Sequence, residues 1–275
     1  MDYQDWIGRS ETTDDCITLR QVAQMAGLLD RPFALANGDA LPLLWHWMAF
    51  QPIAPMSELG PDGHPARGGF LPPVALERRM WAGGRVSFHQ PLRIGTAMTR
   101  RSEIVKITAK TGAAGPMVFV TIRHDIVQAG IACLTEEQDL VFVAISEHFT
   151  PPAPLPVPPD PEWREDQPMD AIRLFRFSAV TFNGHRIHYD LQYAQNIEHY
   201  PGLVVHGPYQ ALLLVAAAQR HRGGITPARF SYRGVRPAFH FEPLQIVGLA
   251  AEAGLQRLCT ANPDNLQCMQ AEVAW

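Results

Sequence analysis

Lysine is nearly missing from this 275-residue chain; Lys106 and Lys110 are the only two, so arginine carries almost all the positive charge. Charged residues make up 18%, below the roughly 25% usual in soluble domains, and the formal net charge is -4. Without a basic cluster there is no electrostatic footprint for nucleic acid. The longest purely apolar run, Ala211 to Ala218, is too short to cross a bilayer. The acidic opening, through Asp14 and Asp15, is unlike a secretory or transit segment. These absences predict a cytoplasmic protein with no membrane or nucleic-acid partner.

Cysteine is sparse as well. Cys16, Cys133, Cys259 and Cys268 show no CxxC spacing, which points away from both structural zinc and a disulfide framework. Neither glycine-rich phosphate motif is present, which disfavours dinucleotide-binding and P-loop readings. Ser178 and Ser231 could each belong to a Ser-His-Asp triad, but no nucleophile elbow surrounds either one. What the chain does have is apolar material, 47% of its residues, enough for a core and for a buried interface between copies. A homo-oligomer is expected on that ground.

Proline divides the sequence. Seven of the eleven residues from Pro151 to Pro161 are proline, which favours an extended, semi-rigid path. The expected organisation is an N-terminal unit over 1–150, a linker over 151–163 and a C-terminal unit over 164–275. The halves share a layout. Arg85-Val-Ser-Phe88 leads to Pro91 and strand-like segments around Glu103–Thr108 and Met117–Val127; Arg229-Phe-Ser-Tyr232 leads to Pro237 and strand-like segments around Leu244–Ala250 and Leu255–Thr260. Each half also offers helices before its strands. Leu19–Leu29 has helical apolar spacing and Leu41–Phe50 reads as a buried helix. The run from Pro208 through Gln219 is almost wholly apolar, with proline suited to its first turn and Gly223-Gly224 to its end. A buried helix followed by antiparallel strands, twice over, is an α+β fold in which a curved sheet wraps a helix.

Chemistry concentrates in two stretches. Phe177 to Asp190 reads as a strand-like lead-in followed by Asn183, His185, His188 and Asp190 within eight residues. A histidine near neutral pKa can take a proton from water, and an amide can hold that water, so His188 and Asn183 form a candidate pair. His185 and His188 have the chemistry of metal ligands, but no third ligand has recognisable spacing, so no metal is expected. Pro201 to Pro208 opens the buried helix. A helix N-terminus presents unpaired N–H groups at its positive end, so the Gly207 N–H could polarise a thioester oxygen, or Gly207 could serve only to make a tight helix entry.

These residues resemble the MaoC-like hotdog-fold hydratases and dehydratases of CoA thioesters. On that resemblance His188 corresponds to the catalytic histidine, Asp190 to the aspartate two residues after it, and His206-Gly207 to the pair that opens the central helix and binds the thioester oxygen. Asn183 stands where the family's catalytic aspartate usually does, a departure that FSAVTFNGHRIHYD shares with the type-2 hydroxyacyl-thioester dehydratases. The first half, with LPLLWHW from Leu41, ELGPDGHP from Glu58, RGGFLPP from Arg67 and RMWAGG from Arg79, is similar to bacterial mesaconyl-C4-CoA and itaconyl-CoA hydratases. The resemblance implies a double hotdog, with a degenerate N-terminal unit and a catalytic C-terminal one, that forms (S)-citramalyl-CoA in itaconate breakdown. No cofactor is implied, because the thioester is its own electron sink and CoA arrives with the substrate.

A dicarboxylic substrate brings a free carboxylate that needs a cation. Arg67 and Arg186 are the candidates for it, with His206 beside the substrate, Arg233 and Arg236 for CoA phosphates, and Trp45, Trp47 and Trp81 as walls of the acyl tunnel. Other readings are a fatty-acid 3-hydroxyacyl-thioester dehydratase, a hotdog thioesterase using Asp190, and a non-catalytic acyl-CoA binding protein.

Overall fold

The computed structural model describes residues 3–112 and 115–275. The chain falls into two compact units. The first comprises Met1–Ala82, Phe88–Ile145 and Phe177–His185; the second comprises Gly83–Ser87, Ser146–Arg176 and Arg186–Trp275. The chain therefore changes unit near residue 145, but the units are not contiguous halves. The proline-rich stretch belongs to the second unit rather than standing apart as a linker. The Val157 N–H donates to the Asn265 carbonyl at 2.9 Å, and its side chain is buried with Val247, Cys259 and Ala261.

In the first unit, β1 (Ser10–Asp15), β3 (Met98–Gly112), β4 (Gly115–Gln128) and β5 (Ile131–Val143) form an antiparallel sheet in the order β1-β3-β4-β5. Val74, Ile104, Ile107, Val118, Val120, Ile122 and Phe142 pack as its core. Helix α1 (Leu19–Leu28) begins with a capping box: Thr18 Oγ1 accepts from the Gln21 N–H, and the Gln21 side chain accepts from the Thr18 N–H. Val22, Met25 and Ala26 give it a buried stripe. The Leu41–Phe50 helix does not form. Only Trp45–Met48 makes a 3-10 turn, because Pro42 cannot donate to a helix and Leu44 (φ 64°) and Phe50 (φ 56°) turn left-handed at its two ends.

The second unit is built on α4 (Gly207–His221), which packs against β7 (Arg229–Gly234), β8 (Leu244–Gly248), β9 (Leu255–Ala261) and β10 (Gln267–Ala274). Every residue from Pro208 to Ala218 is buried, which removes the apolar run from water at ~1.5–3 kcal/mol for each large aliphatic side chain. The helix ends as the sequence predicts, at Gly223 (φ +67°) and Gly224 (φ +86°), whose N–H groups return to the Arg220 and Gln219 carbonyls. The strands run antiparallel in the order β7-β10-β9-β8-β6, with β6 at Trp163–Gln167. Residues Gly83–Ser87 of β2 (Arg78–Phe88) extend this sheet by pairing with β7. The two repeated motifs meet there: Arg85 lies opposite Ser231, and Ser87 opposite Arg229. Antiparallel pairing of equivalent segments is what a duplicated unit produces.

The lead-in to the motif is also not a strand. Residues Ala171–Thr181 form helix α2, with Leu174, Phe177 and Ser178 buried at helical spacing and Asp170 Oδ1 accepting from the Arg173 N–H. All four cysteines are free. No helix among the described residues is long and apolar enough to cross a membrane.

Buried histidines set a pH dependence for the first unit, and His124 is one of them. His124 donates to or accepts from Ser102 Oγ at 2.9 Å, and burial pushes its pKa down to about 4. A group depressed in the folded state leaves stability whole above its unfolded value near 6.5; the loss then grows as pH falls towards the folded value. Thermal midpoints should therefore fall between pH 7 and pH 4.5, with His124 alone accounting for ~2–3 kcal/mol at the low end. In His124→Asn the midpoint should vary less over the same interval. An equal slope in wild type and variant would show that His124 is not responsible.

Candidate active site

The loop between α2 and α3 (Leu191–Asn196) carries the motif. Asn183 lies in the first unit, where its N–H donates to the Ser178 carbonyl at 2.8 Å and its Oδ1 accepts from the His185 N–H at 3.0 Å. That contact fixes which end of the amide is oxygen. The Asn183 NH2 group has no hydrogen-bond partner among the described residues and is free to donate. The next residue must be glycine, because a Cβ on Gly184 would stand 2.5 Å from the Gly63 carbonyl oxygen. The turn of residues 62–64 is thus pressed against the loop that holds Asn183.

Asp62, Gly63 and His64 make a second small constellation, which the sequence signals only as part of ELGPDGHP. Asp62 Oδ1 accepts from the His64 N–H at 3.1 Å, and Oδ2 pairs with His64 Nδ1 at 3.0 Å. The His64 ring packs on His185, with centroids 4.4 Å apart. Burial drives His64 down to about 3, so the imidazole is neutral at physiological pH, donating through Nδ1. For Asp62, burial pushes upward, but the His64 hydrogen bonds and the charge of Arg79 prevail and keep it a carboxylate. Asp62, His64 and His185 have ligand atoms within 4.8 Å of one another, so His185 meets metal-type partners that its spacing in sequence does not reveal. The Arg79 charge, felt by both Asp62 and His64, opposes a cation at that point.

In the second unit His188 sits on a 3-10 turn, Arg186–His188, and is buried. Its Nδ1 lies 2.7 Å from the Val204 carbonyl, an acceptor only, so Nδ1 carries a proton and in the neutral ring the lone pair is on Nε2. The Val204 N–H in turn donates to the Ile187 carbonyl at 3.0 Å, which locks the histidine turn to the segment before α4. The His188 ring stacks on His206, with centroids 3.6 Å apart and planes 20° apart. His206 occupies the N-cap position of α4 without a side-chain capping bond, and Gly207 follows as the first helical residue. Gly207 stays partly accessible while its neighbours from Gly202 to His206 and from Pro208 onward are buried. Its N–H makes no hydrogen bond among the described residues, as expected for the first position of a helix. His188, His206 and Gly207, singled out from sequence, are therefore brought together.

Asp190 has a different task. Its Oδ1 caps α3 through the Tyr193 N–H at 3.0 Å, and its Oδ2 accepts from Arg186 Nε at 3.0 Å and Nη2 at 2.8 Å. The Tyr193 N–H and the Arg186 bonds hold this carboxyl below its usual range. Both oxygens are engaged in holding the motif's own turn and helix, which gives Asp190 a structural task. The same contacts, with the Tyr193 ring 4.2 Å away, engage Arg186.

Arg67 donates to three backbone carbonyls, those of Val74, Leu76 and Glu77, and lies over the Phe142 ring. It organises a loop poor in N–H donors rather than facing a ligand. Arg233 forks onto Gln270 Oε1 at 3.0 and 2.7 Å, and Arg236 reaches the Pro152 carbonyl at 2.8 Å. Trp45 is core, whereas Trp47 and Trp81 meet edge-on with centroids 5.1 Å apart.

The chain is similar to several proteins of described activity or structure. A mesaconyl-C(4)-CoA hydratase of Chloroflexus aurantiacus is 47% identical over 249 residues, covering 90% of this chain and 88% of that protein. A solved MaoC-like dehydratase matches 98% of both chains with a TM-score of 0.73 at 14% identity. A Mycobacterium tuberculosis protein described as a double hotdog matches 98% of this chain and 96% of its own, with a TM-score of 0.61 at 13% identity. The profile of the hydroxyacyl-thioester dehydratase type 2 proteins covers residues 44–240. With that match and a double hotdog fold, the chain belongs to the hydroxyacyl-thioester dehydratase type 2 family.

Proposed function

We propose that this hydro-lyase adds water to the double bond of a branched, unsaturated dicarboxylic acyl-CoA, with mesaconyl-C4-CoA or itaconyl-CoA as substrate and (S)-citramalyl-CoA as product. The observation that carries the reading is the fixed tautomer of His188, whose Nε2 lone pair is held beside the helix entry that presents the Gly207 N–H. The relative that acts on mesaconyl-C4-CoA supports the choice of substrate.

With a conjugated thioester, the carbonyl oxygen accepts from the Gly207 N–H. Asn183, five residues before His188 in the chain, donates from its NH2 group to the oxygen of a water. His188 Nε2 takes one proton from that water, and the hydroxyl adds to the β-carbon. The displaced π electrons move to the thioester oxygen as an enolate, which the N–H stabilises. The imidazolium then returns its proton to the α-carbon, so one water is consumed and no redox partner is involved. The asparagine can orient water without acting as a base, which leaves all proton transfer to His188.

Run in reverse on a plain acyl chain, the same groups would make a 3-hydroxyacyl-thioester dehydratase, the reading favoured by the family's description. The discriminating experiment compares mesaconyl-C4-CoA, itaconyl-CoA and crotonyl-CoA at equal enzyme, by product mass for all three and by loss of conjugated-thioester absorbance for the mesaconyl and crotonyl substrates. A preference of tenfold or more in kcat/KM for a dicarboxylic thioester is expected; a preference for crotonyl-CoA would move the enzyme to lipid metabolism. The reading also includes a place in itaconate degradation in the cytoplasm and assembly as a homo-oligomer, for which the low charge content speaks.

A further inference from the structure

We propose that Arg79 is the receptor for the substrate's free carboxylate and thereby sets the preference for dicarboxylic thioesters. This rests on the hydratase reading above and names the specificity-determining residue that reading lacks, because Arg67 and Arg186 are both engaged elsewhere.

Arg79 lies in β2 and is half-buried, yet among the described residues its guanidinium has no hydrogen bond and no ion pair. The guanidinium therefore has donors to spare in a half-buried position, and a carboxylate matches its fork with two parallel bonds. The neighbouring charges leave room for an anion. Asp62 directs both of its oxygens at His64, and Arg67 adds a second positive charge near Arg79. Arg67 is turned to its own loop's carbonyls, so Arg79 is the guanidinium left to meet an anion there, beside a neutral His64.

Placement within the first unit supplies the rest. The Asp62–His64 turn, whose charge Arg79 feels, is pressed against Gly184 and stacked on His185, the two residues that follow Asn183. In mesaconyl-C4-CoA the free carboxylate is attached to the β-carbon, the atom that receives the hydroxyl. A cation for that carboxylate therefore belongs beside the segment that holds the water. Trp81, two residues along β2 and so on the same face as Arg79, is braced edge-on by Trp47 and offers an apolar wall for the short branched chain. Neutralising the carboxylate would also remove its repulsion of the incoming hydroxyl, so kcat should fall along with affinity when the cation is lost.

An anion at Arg79 has two sources, the acyl carboxylate or a CoA phosphate, and substrates that share CoA separate them. Wild type, Arg79→Met and Arg79→Lys would each be assayed with mesaconyl-C4-CoA and crotonyl-CoA. The expected result is a loss of about 100-fold or more in kcat/KM for mesaconyl-C4-CoA in Arg79→Met, with crotonyl-CoA within about threefold of wild type. Arg79→Lys, which keeps the charge but not the fork, should lose about tenfold on the dicarboxylic substrate alone. Retained crotonyl-CoA turnover shows that a variant is folded; if the methionine variant does not fold, the lysine variant decides. Equal losses on both substrates would assign Arg79 to a CoA phosphate or to the fold, and unchanged kinetics would leave it without a role; either result overturns the proposal. A wild type that ignores mesaconyl-C4-CoA would instead refute the hydratase reading, and this would be visible before any variant is made.

Discussion

His188→Gln should lower kcat by about 10³-fold, while the dissociation constant for a CoA thioester stays within about threefold of wild type. Glutamine fills most of the imidazole's space and can still donate to the Val204 carbonyl, so the turn before α4 should hold. What it removes is the basic Nε2, the only proton acceptor in the proposed mechanism, since Asn183 cannot act as one. Thermal midpoint and kcat should therefore part company: the first nearly unchanged, the second almost abolished. An active His188→Gln enzyme would mean that the base lies elsewhere. A variant that loses binding together with turnover would point to a structural histidine stacked on His206.

The second large effect concerns stability. Glu136, on β5, is a fully buried carboxylate whose Oε2 lies 2.9 Å from His46 Nε2 and whose Oε1 accepts from Trp47 Nε1 at 2.9 Å and Gln138 Nε2 at 3.0 Å. Burial pushes its pKa up, but the bond to His46 and the surrounding positive groups prevail and keep it below the usual carboxylate range. It anchors the short turn that stands where the sequence suggests a helix. Glu136→Ala would remove the acceptor shared by the buried His46 and the part-buried Trp47 and Gln138, at a cost of ~3–5 kcal/mol. A fall of about 10 °C in thermal midpoint is expected for a protein of this size. Glu136→Gln, which keeps the volume and one acceptor oxygen, should lose far less. Equal loss in the two variants would show that packing, not hydrogen bonding, holds the turn. Because Trp47 braces Trp81, the alanine variant should also raise KM for the dicarboxylic substrate at temperatures where it remains folded.

Much of this architecture is legible in the sequence. The second unit's central helix announces itself through an unbroken apolar run with proline at its start and two glycines after it, and local rules suffice for such a segment. The start of α4 is legible from Pro208 and the apolar run, whereas the grouping of His188 with His206 and Gly207 is legible only through the family resemblance. Helix α2 reads as strand-like because Phe-Ser-Ala-Val-Thr-Phe is rich in aromatic and β-branched residues; the better signal is Asp170 as a cap, with Leu174, Phe177 and Ser178 spaced for one buried face. Leu41–Phe50 failed in the other direction, since its composition suits a helix but left-handed residues at 44 and 50 are imposed by tertiary packing.

Arginine roles were the least legible. Arg67 is captured by three carbonyls of a proline-rich loop, and nothing in its neighbours announces a backbone partner seven to ten residues away. Arg79 could have been suspected: consecutive arginines in a strand point to opposite faces, so one of the pair Arg78-Arg79 faces inward. The turn of Asp62 and His64 lies more than a hundred residues from the loop it supports, a separation no local pattern bridges.

The central claim is that water is added across a carbon–carbon double bond while the thioester stays intact. It is tested most directly by incubating wild-type protein with mesaconyl-C4-CoA in water enriched in oxygen-18 and weighing the products. The account predicts an acyl-CoA heavier by one labelled water, with the label in a hydroxyl on the β-carbon, and no free CoA above the level given by His188→Gln. Release of free CoA with the label in a carboxylate would contradict it and make the protein a thioesterase; recovery of unlabelled substrate would contradict it in favour of a binding protein.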